Sequence, residues 1–178
     1  SGAASRRATS PTPSAAGSLL DSPPQLASLP HREPFRRGAA YNEGMRLNAD
    51  LLRQRAKEIR DAVDILSRYA ALSQGDFLAR PEIVDAAKYR LVVAIEAAIS
   101  MCTHLASRLA ERTPESYADC FAVLATTGLV PAELAEKLGA MARFRNLLVH
   151  IYWQVDNAKV WEVLRNNLDT LDAYLVAV

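Results

Sequence analysis

Cysteine is nearly absent: Cys102 and Cys120 are two in 178 residues. They stand in no CxxC or Cys/His spacing. That excludes the common zinc motifs and a disulfide scaffold, and it fits a reducing cytosol. Both are expected as buried thiols packing like small hydrophobes. Charge of one sign is lacking too. The formal net charge is +1, so no general basic field marks a nucleic-acid binder, and any RNA contact has to be local. No uninterrupted apolar run comes near 18 residues, so a membrane span is not expected. No segment shows sustained period-two alternation or a hairpin turn signal, and there is no internal repeat.

Apolar residues are plentiful. Half the chain is hydrophobic, enough to bury the core of one domain of ordinary size. They are not spread evenly. Residues 1–44 hold six of the nine prolines and four of the seven glycines, with five basic and three acidic residues, leaving 16 and 17 for the rest. Such a stretch buries too little apolar surface to offset its ordering entropy. It is expected as a disordered extension. Its Arg/Ser/Ala bias resembles a transit peptide, but an expression leader or translated upstream region is favoured. Met45 would then be the natural start, and 45–178 the folded domain.

From Met45 the period is helical throughout. Leu52, Ile59, Ala62, Val63, Leu66 and Tyr69 recur at three- and four-residue spacing over 46–72, with Gly75 as a stop. Pro81 suits the first position of a second helix running to about 111, with a stripe from Ile83 to Leu109. Thr113-Pro114-Glu115 reads as the start of a third, ending before Gly128, and Pro131-Ala132-Glu133 as the start of a fourth, ending near 150. Asp156 caps a fifth carrying Val160, Val163, Leu164, Leu168, Leu171 and Leu175. The fold expected is all-α, a five-helix up-and-down bundle.

One segment carries chemistry: Arg145-Asn146-Leu147-Leu148-Val149-His150-Ile151-Tyr152. Charged and titratable groups are costly to bury unpaired. Asn146 and His150, four apart, share a helix face, whereas Arg145 and His150 are about 140° apart and do not converge unaided. The set suits a helix end, or a groove where two copies face each other across a two-fold axis. A purely structural role is open: Arg145 paired with a carboxylate and His150 at the favourable negative end of a helix. Glu96, alone among apolar neighbours, is a candidate partner for Arg145 or Arg143. Arg143 is either part of a phosphate-binding groove or a solvated charge. His104 is expected as a satisfied, partly buried histidine. Trp153 and Trp161 are expected to pack in the bundle or a dimer rather than stack on bases.

Arg145-x4-His150-x-Tyr152 resembles the RX4HXY signature of HepT-like toxins, in the HEPN superfamily. Phe144 to His150 is similar to that family's F-R-N-x-L-V-H block. Val155-Asp156, Pro114-Glu115-Ser116-Tyr117, Leu129-Val130-Pro131 and Leu91 to Ala97 resemble further family segments, so the likeness covers residues 46–178. It implies a homodimeric toxin acting as a metal-independent endoribonuclease, with no cofactor. It also implies a partner, an MNT-type nucleotidyltransferase antitoxin, and in some systems AMP transfer to the tyrosine corresponding to Tyr152. The chemistry agrees. His150 has the intrinsic pKa of a general base or acid for a 2′-hydroxyl, Arg145 has the fork geometry for a phosphate, and Asn146 can orient them. Messenger or transfer RNA would be the substrate, in the cytoplasm. The alternative is a non-catalytic helical dimer that binds a nucleotide or a partner.

Overall fold

The computed structural model describes residues 47–110 and 112–178. The expected disordered extension and the boundary at Met45 lie outside the described residues. Among the described residues six α-helices form instead of the expected five: α1 (Ala49–Ala70), α2 (Gln74–Leu78), α3 (Pro81–Leu109), α4 (Tyr117–Thr126), α5 (Ala132–His150) and α6 (Asn157–Ala177). A single 3-10 turn, Tyr152–Gln154, follows α5, and no strand occurs among the described residues.

The extra helix is α2. Gly75, read as a stop, lies inside it. Ser73 Oγ accepts from the Asp76 N–H at 3.1 Å, and Phe77 is buried against Leu66 and Val84 of the neighbouring helices. A cap and one buried ring fix five residues that are too few for a periodic signal. The start of α4 also differs from the Thr113-Pro114 expectation. Ser116 is the cap, its Oγ accepting from the Asp119 N–H at 3.1 Å. The side chain of Asp119 reaches back to the Glu115 N–H at 2.9 Å. The other ends agree with expectation. Pro81 opens α3, Gly128 takes a positive φ of 77° just beyond α4, and Asp156 Oδ1 accepts from Ala158 N–H at 2.9 Å at the head of α6.

Helix α3 packs against every other α-helix. It is long and apolar enough to cross a membrane by length and composition alone, although, as expected, no uninterrupted apolar run nears 18 residues. Its apolar stripe is spent on the core instead: Leu91, Ala94, Ile95, Ala98, Met101 and Leu105 are all buried. Glu96, in the middle of the helix, breaks the apolar run, and the rest of the stretch from Leu91 to Ala106 is mostly apolar, as a helix surrounded by others requires. Burial of Ile59, Ala62, Val63 and Leu66 in α1 follows the expected stripe.

The buried side chains form two clusters. In the larger, Phe121 of α4 meets Tyr174 of α6 edge to face at 5.6 Å. Cys102 and Cys120, 18 positions apart in sequence, are both buried and free there. Burial pushes the Cys102 thiol up, and hydrogen bonding with Cys120 adds to the shift. The smaller cluster joins Leu66, Leu91 and Val160 to Leu148. Leu148 thereby anchors the last turn of α5, the segment that carries the Arg/His set.

Candidate functional site

Helix α5 ends at His150, so the expected placement of the motif at a helix end is found. Leu148 faces the core while Leu147 and Val149 are exposed. This is the helical alternation of a segment anchored on one side. His150 is exposed, and its side chain makes no hydrogen bond to a described residue. The helix-terminal position is the favourable one expected of a structural histidine, but the hydrogen bonds at this end are made by the backbone: Ile151 N–H donates to Leu147 O at 3.0 Å.

Arg145 is bound on several sides. Its Nη2 pairs with Glu96 Oε1 across the α3–α5 interface, with the Arg145 side chain 14% and the Glu96 side chain 40% exposed. Of the two arginines considered for Glu96, the structure selects Arg145. Its Nη1 donates to Asn146 Oδ1 at 3.0 Å. The ring of Tyr117, the first residue of α4, lies 5.7 Å from the guanidinium carbon. Its Nε is buried without a hydrogen-bond partner. The bond to Asn146 matters for geometry. It ties the guanidinium to Asn146, the residue that shares a helix face with His150.

Arg143 goes elsewhere. Two residues before Arg145, it lies about 200° around the helix. It lines an open groove of about 410 Å³ between α4 and α5, together with Ala118, Glu136 and Gly139. Tyr152, the last residue of the motif, opens the 3-10 turn that follows α5. Trp153 is 66% exposed, so it does not pack in the bundle core. Trp161 does pack there, its Nε1 donating to Leu72 O at 3.1 Å. His104 meets its expectation: Nε2 accepts the backbone N–H of Asn48 at 2.9 Å. Among the described residues no group of three His, Cys, Asp or Glu side chains is arranged to hold a metal.

Tyr117 is the site residue that sequence reading passed over. It is 28 positions from Arg145, and no local period links them. The other signals at its end of α4 were legible: Ser116-x-x-Asp119 is a capping-box pattern.

The chain belongs to the HepT-like ribonuclease family, whose model matches residues 59–178. Its fold is shared by solved toxin–antitoxin structures. One is a toxin–antitoxin complex with AMP-PNP, at 20% identity and TM-score 0.67, covering 72% of this chain and 96% of that one. Another is the tri-AMPylated Shewanella oneidensis HEPN toxin in complex with MNT antitoxin, at 21% identity and TM-score 0.66, with the same coverage. A mutant MntA–HpeT toxin–antitoxin complex is similar at 21% identity and TM-score 0.65. No curated protein matches the chain.

Proposed function

We propose that this chain is the toxin of a toxin–antitoxin pair and cleaves RNA as a metal-independent endoribonuclease in the cytoplasm. The observation that carries the reading is the contrast within six residues of α5. Arg145 is held in place by Glu96, Asn146 and Tyr117, while His150 stands exposed and unpartnered at the helix end. A cation held in place and an exposed histidine in the last turns of one helix are the two groups that phosphodiester transesterification uses. His150 takes the proton of the 2′-hydroxyl as that oxygen attacks phosphorus. The bond to the 5′-oxygen breaks, a proton returns to that leaving oxygen, and a 2′,3′-cyclic phosphate remains. Arg145 stabilises the charge gathering on the phosphate, and Asn146 orients the pair. Arg143, on the neighbouring groove, supplies at most a secondary contact to the RNA.

The active form is a homodimer. Leu147, Val149 and Trp153 are exposed large hydrophobics around the motif, and burying them against a second copy brings two Arg/His sets to one groove. A nucleotidyltransferase antitoxin neutralises the toxin by moving AMP from ATP to the Tyr152 hydroxyl, with pyrophosphate leaving. The added bulk and negative charge stand two residues from His150 and repel the substrate phosphate. The structural relatives in complex with an MNT antitoxin, one of them AMPylated, support this partner.

The test is intact mass and peptide mapping over 143–160 of the chain purified with and without its nucleotidyltransferase partner, alongside RNA cleavage. AMP-sized increments on Tyr152 with the partner, and cleavage by the unmodified chain that His150→Ala abolishes, are expected. An unmodified, RNA-inert chain would instead make it a non-catalytic binding module.

A further inference from the structure

The guanidinium of Arg145 needs more than an ion pair to serve a phosphate. Glu96 fixes one edge but competes with the incoming phosphate for the same charge. Asn146 occupies a further donor. An aromatic ring over the guanidinium holds it differently: the attraction comes from the ring quadrupole and uses no N–H. The donors stay available, and the rotamer entropy of the long side chain is removed before substrate arrives.

Tyr117 is mounted for this. It opens α4 directly after the Ser116 cap. The loop before it is tied down as Asp119 takes two hydrogen bonds from Arg112, at 2.7 and 2.6 Å, and one from the Glu115 N–H. The first turn of α4 lies close against α5 at Gly139, where a Cβ would stand 3.4 Å from Ala118 O. That close approach, one residue from Tyr117 and six from Arg145 on the same helix, carries the ring to the guanidinium. Tyr117 is 47% exposed, more than core packing explains.

We propose that Tyr117 is a positioning residue of the site, acting through Arg145 by holding its guanidinium in the orientation that receives an RNA phosphate. This rests on the ribonuclease reading above, and the experiment separates the two. With the full chain, single-turnover cleavage of a single-stranded RNA oligonucleotide is measured beside binding of its uncleavable 2′-O-methyl counterpart. Thermal unfolding is followed in parallel. Tyr117→Leu, which keeps bulk but loses the quadrupole, weakens binding and slows cleavage by about 3- to 30-fold. Tyr117→Phe restores both, because the ring is what matters. In an Arg145→Ala background Tyr117→Leu costs nothing further. Tyr117→Leu behaving as wild type, Tyr117→Phe failing as Leu does, or losses that multiply in the Arg145→Ala background would each overturn the proposal. If the wild-type chain binds the 2′-O-methyl strand but cleaves nothing, the ribonuclease reading falls and the binding series still decides Tyr117. If it binds no RNA, both fall.

Discussion

Two histidines on two helices of this bundle have opposite surroundings. His104, in the last third of α3, is tied to the head of α1 through the Asn48 N–H. Burial lowers its pKa from 6.5, and the nearby Arg108 charge lowers it further. It acts as a neutral acceptor that joins two elements. His150, the last residue of α5, is exposed and joins nothing. Residue type is the same, and both are close to a helix C-terminus. What separates them is whether a neighbouring element brings a donor. The charges divide the same way. Arg53–Asp50 and Lys57–Asp61 are local pairs along the exposed face of α1, whereas Arg145–Glu96 crosses between helices with the arginine largely buried. Exposed local pairs contribute little to stability. A cation held across an interface is preorganised, which is where catalytic electrostatics are found.

The sharpest test of this contrast is to truncate each histidine. His150→Ala is expected to lower RNA cleavage by about 10²- to 10⁴-fold, the range for losing a general base, with Tm little changed because the side chain is exposed. His104→Ala should leave cleavage at the wild-type level. A reversed result would assign the chemistry to the wrong histidine. Next in size is Arg145→Ala, expected to cost about 10²- to 10³-fold in cleavage. Arg145→Lys should recover little, since an ammonium cannot reproduce the fork shared among Glu96, Asn146 and phosphate.

A smaller effect should appear in pH-dependent stability. The folded-state pKa of His104 is depressed, so its contribution is present above the unfolded value of about 6.5 and is lost as pH falls through the lower folded value. Protonation turns Nε2 into a donor facing the Asn48 N–H. The loss is on the order of 0.5 kcal/mol, the low end for a hydrogen bond standing partly in water. It is read as a drop in Tm below pH 6.5 that His104→Ala removes. Smallest of all is Lys57→Ala on α1: neither Tm nor cleavage should move measurably, and a clear loss of cleavage would show that the exposed face of α1 takes part in function.

Much of this was readable along the chain. The apolar stripes of α1, α3 and α6 follow the 3.6-residue period and are largely buried, Leu109 at the end of the α3 stripe being exposed. The Arg/Asn/His/Tyr set and its place at a helix end were legible because spacing on one helix is a local property. Misread features were local signals given the wrong weight. Gly75 suggested a stop, yet Ser73-x-x-Asp76 and Ser116-x-x-Asp119 both carry the pattern that caps the next helix. The absence of an unbroken apolar run hid how apolar α3 is, because the residue that breaks it, Glu96, is paired with Arg145 of α5. Trp153, expected to pack in the bundle or a dimer, is exposed beyond the end of α5 and so does not join the bundle core.

The sequence by itself determined the helices, most of their caps, the buried stripes and the residues able to do chemistry, since each depends on groups within about one turn of one another. Tertiary structure decided which of those residues meet. It chose Glu96 for Arg145, brought Tyr117 over the guanidinium through the close approach of α4 to α5 at Gly139, and set Cys102 and Cys120 in one core cluster. It also gave His104 a partner and left His150 without one. The register and approach of packed helices depend on side chains far apart in the chain, so no local period encodes them.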